Sequence, residues 1–221
     1  ARLCGGTGMK AFDVICPAEW VRVDPAPPDE DQIREIAREY GLRAYPEFRE
    51  QVSAYAAQRW FSALAQLRDE GAVVVFFAGP RSPASILQAM VAIRPLIWPE
   101  DIEPLVALAS QAGSDPHAQV FDLDTAVALR SWTQTDVTGE AAQKAAADLP
   151  ENLRSQADTA GVTGSTQFTL TYRIGLPDDR EAWVEAYASA FSPTGAPIDG
   201  LQEQITAMFD SVLSTFTWVE S

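Results

Sequence analysis

Residues 167–174 (QFTLTYRI) and 181–191 (EAWVEAYASAF) constrain this chain more than any other stretch. Both alternate with a period of two and carry aromatic and β-branched residues, which suits a pleated strand and not a helix. Phe168, Leu170, Tyr172 and Ile174 share one face of the first run. Ala182, Val184, Ala186, Ala188 and Ala190 share one face of the second, with Trp183, Glu185, Tyr187, Ser189 and Phe191 on the other. Residues 175–180 (GLPDDR) supply turn chemistry, Gly by tolerating positive φ and Pro by presetting it. The two runs are expected to form an antiparallel hairpin. A strand face of small side chains lets a helix approach closely, and a helix follows. Asp199 is a suitable N-cap with Gln202 three residues on. Leu201, Ile205, Met208, Val212 and Phe216, flanked by Phe209 and Leu213, then recur at helical spacing. Trp218 is expected to pack against a sheet edge.

The rest of the chain supplies further strands and helices. Residues 11–24 begin with Phe12, Val14 and Cys16 in alternation, break at Pro17, and resume at 20–23 (WVRV), as a bent strand or open hairpin starting the sheet. Residues 29–40 open with acids, favourable at a helix N-terminus, and carry Ile33, Ile36, Ala37 and Tyr40 in a stripe, with Gly41 as C-cap. Pro46 suits the first position of a second helix over 46–70, ended by Gly71. Residues 29–70 thus read as a helical hairpin inserted between strands. Trp60 and Phe61 broaden its apolar face, and with Tyr45 they are the candidate partner-binding residues. Residues 72–78 (AVVVFFA) form a continuous apolar run, expected as a central strand covered on both faces. Residues 84–95 are read as a strand and 99–112 as a helix capped by Gly113. Residues 119–123 and 125–133 are read as two more strands. Residues 136–165 are polar and Ala/Gly-rich, and are expected to form an exposed, mobile excursion with a partial helix over 140–157.

The resulting fold class is α+β: a twisted, mostly antiparallel sheet flanked by helices on both faces (an α/β/α sandwich), in one domain over 11–221 behind a tail of residues 1–10. A chain of 221 residues is long enough for one substantial core. A net charge of −15 disfavours nucleic-acid and anionic-membrane binding, both of which need a basic face. No apolar run reaches membrane-spanning length, so no membrane insertion is expected. Two cysteines, Cys4 and Cys16, exclude a disulfide-rich scaffold; they could form one bridge, but Cys4 in a flexible tail and Cys16 in a strand favour free thiols, and so a reducing, cytoplasmic setting over a secreted or surface-attached one.

The order FTLTYRIGLPDDREAWVEAYASAFSP then DGLQEQITAMFDSVLSTFTWV resembles the end of actinobacterial proteins with the PsbP-like α/β/α sandwich, and FDVICPAEWVRVD is similar to that superfamily's first strand pair. The helical hairpin at 29–70 departs from the compact pattern. The resemblance implies a non-enzymatic binding or assembly factor, as in photosystem subunits, a nuclear-transport GTPase partner and bacterial surface lipoproteins.

Signatures of catalysis are sparse. His117 is the sole histidine, in a turn (SDPHA), and any Ser-His-Asp or Cys-His arrangement would have to use it. One His and two separated Cys give no zinc spacing. Asp122 and Asp124 (FDLD) share a strand face and, with Glu185, are the carboxylates on which a hydrolase would draw; on a solvated strand they are more simply surface charges. Residues 4–10 (CGGTGMK) lack phosphate-loop spacing, and 161–164 (GVTG) is turn chemistry. Six tryptophans (Trp20, Trp60, Trp98, Trp132, Trp183, Trp218) either anchor the core or line a cleft. The leading expectation is a non-catalytic protein-interaction or assembly module acting on a protein partner or a second copy, with no cofactor and no metal. The alternatives are a carboxylate-dependent hydrolase and a small-molecule carrier with an aromatic-lined cleft.

Overall fold

The computed structural model describes residues 10–42, 46–123, 126–137, 165–192 and 200–219. Nine strands and four α-helices are described. They are β1 (Phe12–Asp13), β2 (Trp20–Val23), α1 (Glu30–Gly41), α2 (Arg49–Asp69), β3 (Val74–Ala78), β4 (Met90–Pro95) and α3 (Pro104–Ser114), then β5 (Gln119–Leu123), β6 (Ala126–Val137), β7 (Ser165–Leu176), β8 (Asp179–Ser192), α4 (Gln202–Leu213) and β9 (Thr217–Trp218). Seven strands form one sheet in the order β2-β3-β4-β8-β7-β6-β5, with every neighbour antiparallel. The chain lays down β2, β3 and β4, passes through α3 to the far edge, and returns as the meander β5 to β8. That return seats β8 against β4 at the middle of the sheet.

Alternation along the long strands sorts side chains onto two faces. On one face Phe168, Leu170, Tyr172 and Ile174 of β7 and the Ala182–Ala190 set of β8 are fully buried together with Ile205, Phe209, Val212 and Leu213 of α4. The small Ala side chains are what let α4 lie close to the strand, as the hairpin pattern anticipates. The opposite face carries two separate clusters. Val75, Phe77 and Ala92 are covered by Ile33 and Ile36 of α1 and Leu64 of α2. Leu129 and Trp183 are covered by Leu108 of α3. Helices therefore flank both faces of an antiparallel sheet, in agreement with the α+β expectation.

Several boundaries differ from the sequence reading, each for an identifiable reason. Phe12–Asp13 does not begin the main sheet; it pairs with Thr217–Trp218 in a separate two-stranded ribbon. Phe216 stacks on Phe12 at 5.1 Å there, and Trp218 meets both edge-on, so Trp218 joins a small sheet of its own rather than the main edge. Cys16 lies outside any strand, half-buried and with a free thiol. The run at 74–78 is buried on both faces as expected, yet it is second from the β2 edge rather than central. In 84–95 only Met90–Pro95 is strand. Pro83–Leu87 is a 3-10 turn capped by the Ser82 hydroxyl, because Pro83 presets the first helical φ.

The third helix starts at Pro104, five residues later than the pattern suggests. The proline forces Glu103 out of the helical region, to ψ 118. The strand read as 125–133 continues to Val137, paired residue for residue with β7. The excursion at 138–164, Asp124, Tyr45, Cys4 and Asp199 lie outside the described residues, but α4 starts at Gln202 with Leu201 at its cap position and no side-chain capping hydrogen bond, so the helix is not capped at 199 as the sequence pattern predicts.

Two glycines act differently from the turn and cap roles read for them. A Cβ at Gly175 would overlap the indole of Trp183, so this residue makes room for the buried tryptophan. A Cβ at Gly41 would overlap the Ser53 hydroxyl and come within 2.7 Å of the Arg49 carbonyl, so Gly41 serves the close approach of α1 and α2. Gly71, at φ +88, does end α2 as a left-handed residue.

Candidate functional site

Helix α3 is unusual for a surface helix, since Pro104–Ser114 (PLVALASQAGS) contains no charged residue. Its inner side is used conventionally. Pro104 and Leu108 are buried, and Leu108 packs on Leu129 and Trp183. Gln111 accepts a hydrogen bond from Arg173 of β7, and this contact fixes the helix over the sheet. The outer side is uncharged too, with apolar residues beside the exposed Ser110 and Ser114. Leu105 is 38% exposed, Val106 is 65% exposed, and Ala109 is exposed one turn on. Ile102, just ahead of the helix, is also 38% exposed; its N–H donates to the Pro99 carbonyl in the turn that leads into α3. Ile97, on the segment from β4, is 88% exposed, while its neighbour Trp98 turns inward to meet Trp183 edge-on at 5.6 Å. Of the nine large apolar side chains exposed among the described residues, four thus fall within residues 97–106. Val120 of the edge strand β5 is exposed on the same sheet side as α3, its register partner Leu129 lying under Leu108. A surface helix normally turns a polar face to water, and clustered exposed apolar side chains rimmed by polar groups mark contact surfaces. Glu100, Asp101 and Glu103, all exposed, stand among these apolar residues in the sequence.

A second feature is a groove of about 360 Å³ between α4 and the strands β6 and β7. Trp132 and Phe168, 5.5 Å apart, form its floor, and Gln202, Glu203, Thr206, Ala207 and Asp210 line the α4 side. His117 lies on the outer side of Trp132 at 4.1 Å between ring centres. At the groove's inner end Asp210 accepts a 2.7 Å hydrogen bond from the Tyr172 hydroxyl and pairs with Arg130, whose other Nη donates to Gln119 at 2.7 Å. Burial, then the hydrogen bond and charge of Asp210, push the Tyr172 phenol well above its ordinary pKa. Tyr172 is therefore a protonated donor that ties α4 to the sheet.

The carboxylates considered for hydrolysis are not brought together. Glu185 is buried at mid-sheet, clamped by Nε of Arg94 and Nε of Arg173 at 3.1 Å each, which are its register neighbours on β4 and β7. Asp122 is exposed on the edge strand β5, three strands away and so about 14 Å off at ordinary strand spacing. Asp124 lies outside the described residues. His117 sits in an exposed turn, its N–H on the Asp115 carboxylate. Among the described residues no three His, Cys, Asp or Glu gather as metal ligands, and no helix is long and apolar enough to cross a membrane.

Of the candidate partner-binding residues, Trp60 stacks on Phe77 at 4.1 Å, and Phe61 is half-buried in the same cluster with the Arg34 guanidinium 5.9 Å from its ring centre. Tyr45 lies outside the described residues. The exposed set at 97–106 is not among the candidates read from the sequence, which places 99–112 in a helix without dividing an inner from an outer face. The signal that could have found it is the lack of any charge in 104–114, since a helix on one side of a sheet needs a wettable outer face. Comparison with known proteins finds no matching family model, no matching curated protein and no matching solved structure.

Proposed function

We propose that this chain is a non-catalytic protein-interaction or assembly module whose contact surface is the outer face of α3 together with Ile97. The concentration of Ile97, Ile102, Leu105 and Val106 in ten residues carries this reading. An area of that kind stabilises a complex by leaving water, at about 25 cal/mol per Å² of apolar surface. The resemblance of the first strand pair and the last hairpin and helix to PsbP-like sandwiches, which implies a binding or assembly factor, is part of this proposal. The free thiol of Cys16, half-buried beside the larger core, fits a reducing and cytoplasmic setting.

The test is size-exclusion of extracts from the producing cell. The wild-type chain is expected to elute in an assembly well above its 24.0 kDa, and Leu105→Asp/Val106→Asp to elute as the free chain with unchanged circular dichroism. Co-elution of both at the monomer position would remove the reading.

The groove at Trp132 and Phe168 favours one alternative, a small-molecule carrier with an aromatic-lined cleft, because its volume falls in the range of small-molecule sites. Ligand-observed NMR with an aromatic fragment set tests it. Saturable binding that Trp132→Ala abolishes supports a carrier, and no fragment sensitive to that substitution rules it out.

A further inference from the structure

The charge around the α3 surface specifies the partner more narrowly. Resting on the reading above, we infer that the occupant of this face is a basic amphipathic segment of another protein, one that sets an apolar stripe on Leu105 and Val106 and Lys or Arg side chains against Glu100, Asp101 and Glu103.

Three observations carry this. First, Leu105, Val106 and Ala109 stand one and three residues apart on the exposed side of α3, and Ile102 adds to this apolar surface from the turn just ahead of the helix. Second, the carboxylates interleave with the apolar residues in sequence, so a partner that covers Ile102 comes within reach of all three. They also favour the helix N-terminus that they precede. Yet Glu103, at the cap position, makes no capping hydrogen bond, and its carboxylate remains at the surface. Third, Arg180 donates a hydrogen bond to the Pro99 carbonyl rather than to a carboxylate of this segment.

A second copy of the chain is the natural rival for an exposed apolar face. A two-fold contact would bring the same patch against itself, and hence three carboxylates against three, in a chain that already carries −15. Like charges facing each other across an interface cost free energy and suppress the wrong partner. A basic partner reverses that sign, and its approach to an acidic protein is accelerated by the overall field.

The experiment uses the full chain and three synthetic peptides of about 18 residues, or five helical turns. One is a Leu/Lys peptide with helical periodicity, one has the same composition with the pattern scrambled, and one has Glu in place of Lys. Binding is read by fluorescence anisotropy and by sedimentation velocity at about 50 mM and about 300 mM salt, where screening lengths differ by a little more than about twofold. The patterned basic peptide is expected to bind, weaken with salt, and lose about tenfold in affinity against Glu100→Gln/Asp101→Asn/Glu103→Gln, as three exposed ion pairs would imply. Leu105→Asp/Val106→Asp should bind it no better than the scrambled peptide. Equal binding of the patterned and scrambled basic peptides would show attraction to net charge alone and overturn the inference. So would equal binding of the acidic peptide, or a concentration-dependent dimer that the double Asp variant dissociates. In the last two cases the α3 face would still be an interaction surface and only the class of partner would fall. If no peptide binds and the extract assembly above is also absent, the surface reading falls with it.

Discussion

Asp210 joins three elements, and its removal gives the sharpest test of how the larger core is held. Its carboxylate accepts from Tyr172, which is fully buried on β7, and pairs with Arg130 of β6, while Asp210 itself rides on α4. Asp210→Ala leaves a buried phenol hydroxyl without an acceptor, which costs about 1–3 kcal/mol. It also removes the counter-charge of Arg130. The Asp210 side chain is 36% exposed, so that part is discounted to about 1 kcal/mol. The sum is about 3 kcal/mol. For a chain of this length such a loss lowers Tm by roughly 6–12 °C.

Tyr172→Phe should cost only about 1 kcal/mol, because Asp210 keeps Arg130 and some water. In the double variant the phenol that Asp210→Ala would strand is already gone, so the two losses should fall short of adding by about 1 kcal/mol or more. Urea unfolding of the four proteins measures this. An Asp210→Ala loss below about 1 kcal/mol, or strict additivity, would refute the claim that α4 is tied to the sheet through Tyr172.

Two further outcomes follow from neighbouring contacts. Gly175→Ala should destabilise by about 1–3 kcal/mol in thermal unfolding, because its new methyl overlaps the Trp183 indole in a packed site; a neutral result would mean that β7 and β8 can separate there at little cost. The Tyr172 pKa is raised in the fold, so its contribution is complete below the unfolded value of about 10 and is lost as pH rises beyond it. Stability of the wild type should therefore fall more steeply than that of Tyr172→Phe above about pH 10, and identical alkaline profiles would contradict it.

Legibility in the sequence tracked the strength of periodicity. The β7–β8 hairpin and α4 could be read because period-two and helical patterns there are long and uninterrupted, and the Ala face of β8 announced the helix above it. α1 was legible through Asp29, whose carboxylate does accept from the N–H groups of Asp31 and Gln32. Among the short strands, β2 and β5 fall on the residues the alternation predicts, 20–23 and 119–123, but β1 does not join the sheet it was read into. β1 has two residues and gains its partner only from the other end of the chain, a pairing that no local pattern encodes. The start of α3 was set by one proline within an apolar run that permits several starts. The α3 surface was missed for a related reason: apolar residues on a helix read as core unless the layer above is known to be missing. Trp60 and Phe61 show the converse, since aromatic width on α2 reflects packing on Phe77 and beneath Arg34.

The account's central claim is that the outer face of α3 docks a protein. A photo-crosslinking residue placed at position 106 in the producing cell tests it most directly, with position 58 on the exposed side of α2 as the control. The account predicts one discrete, saturable adduct from position 106, on a Lys- or Arg-rich segment of a single protein, and none from position 58. Equal, diffuse labelling from the two positions would contradict it.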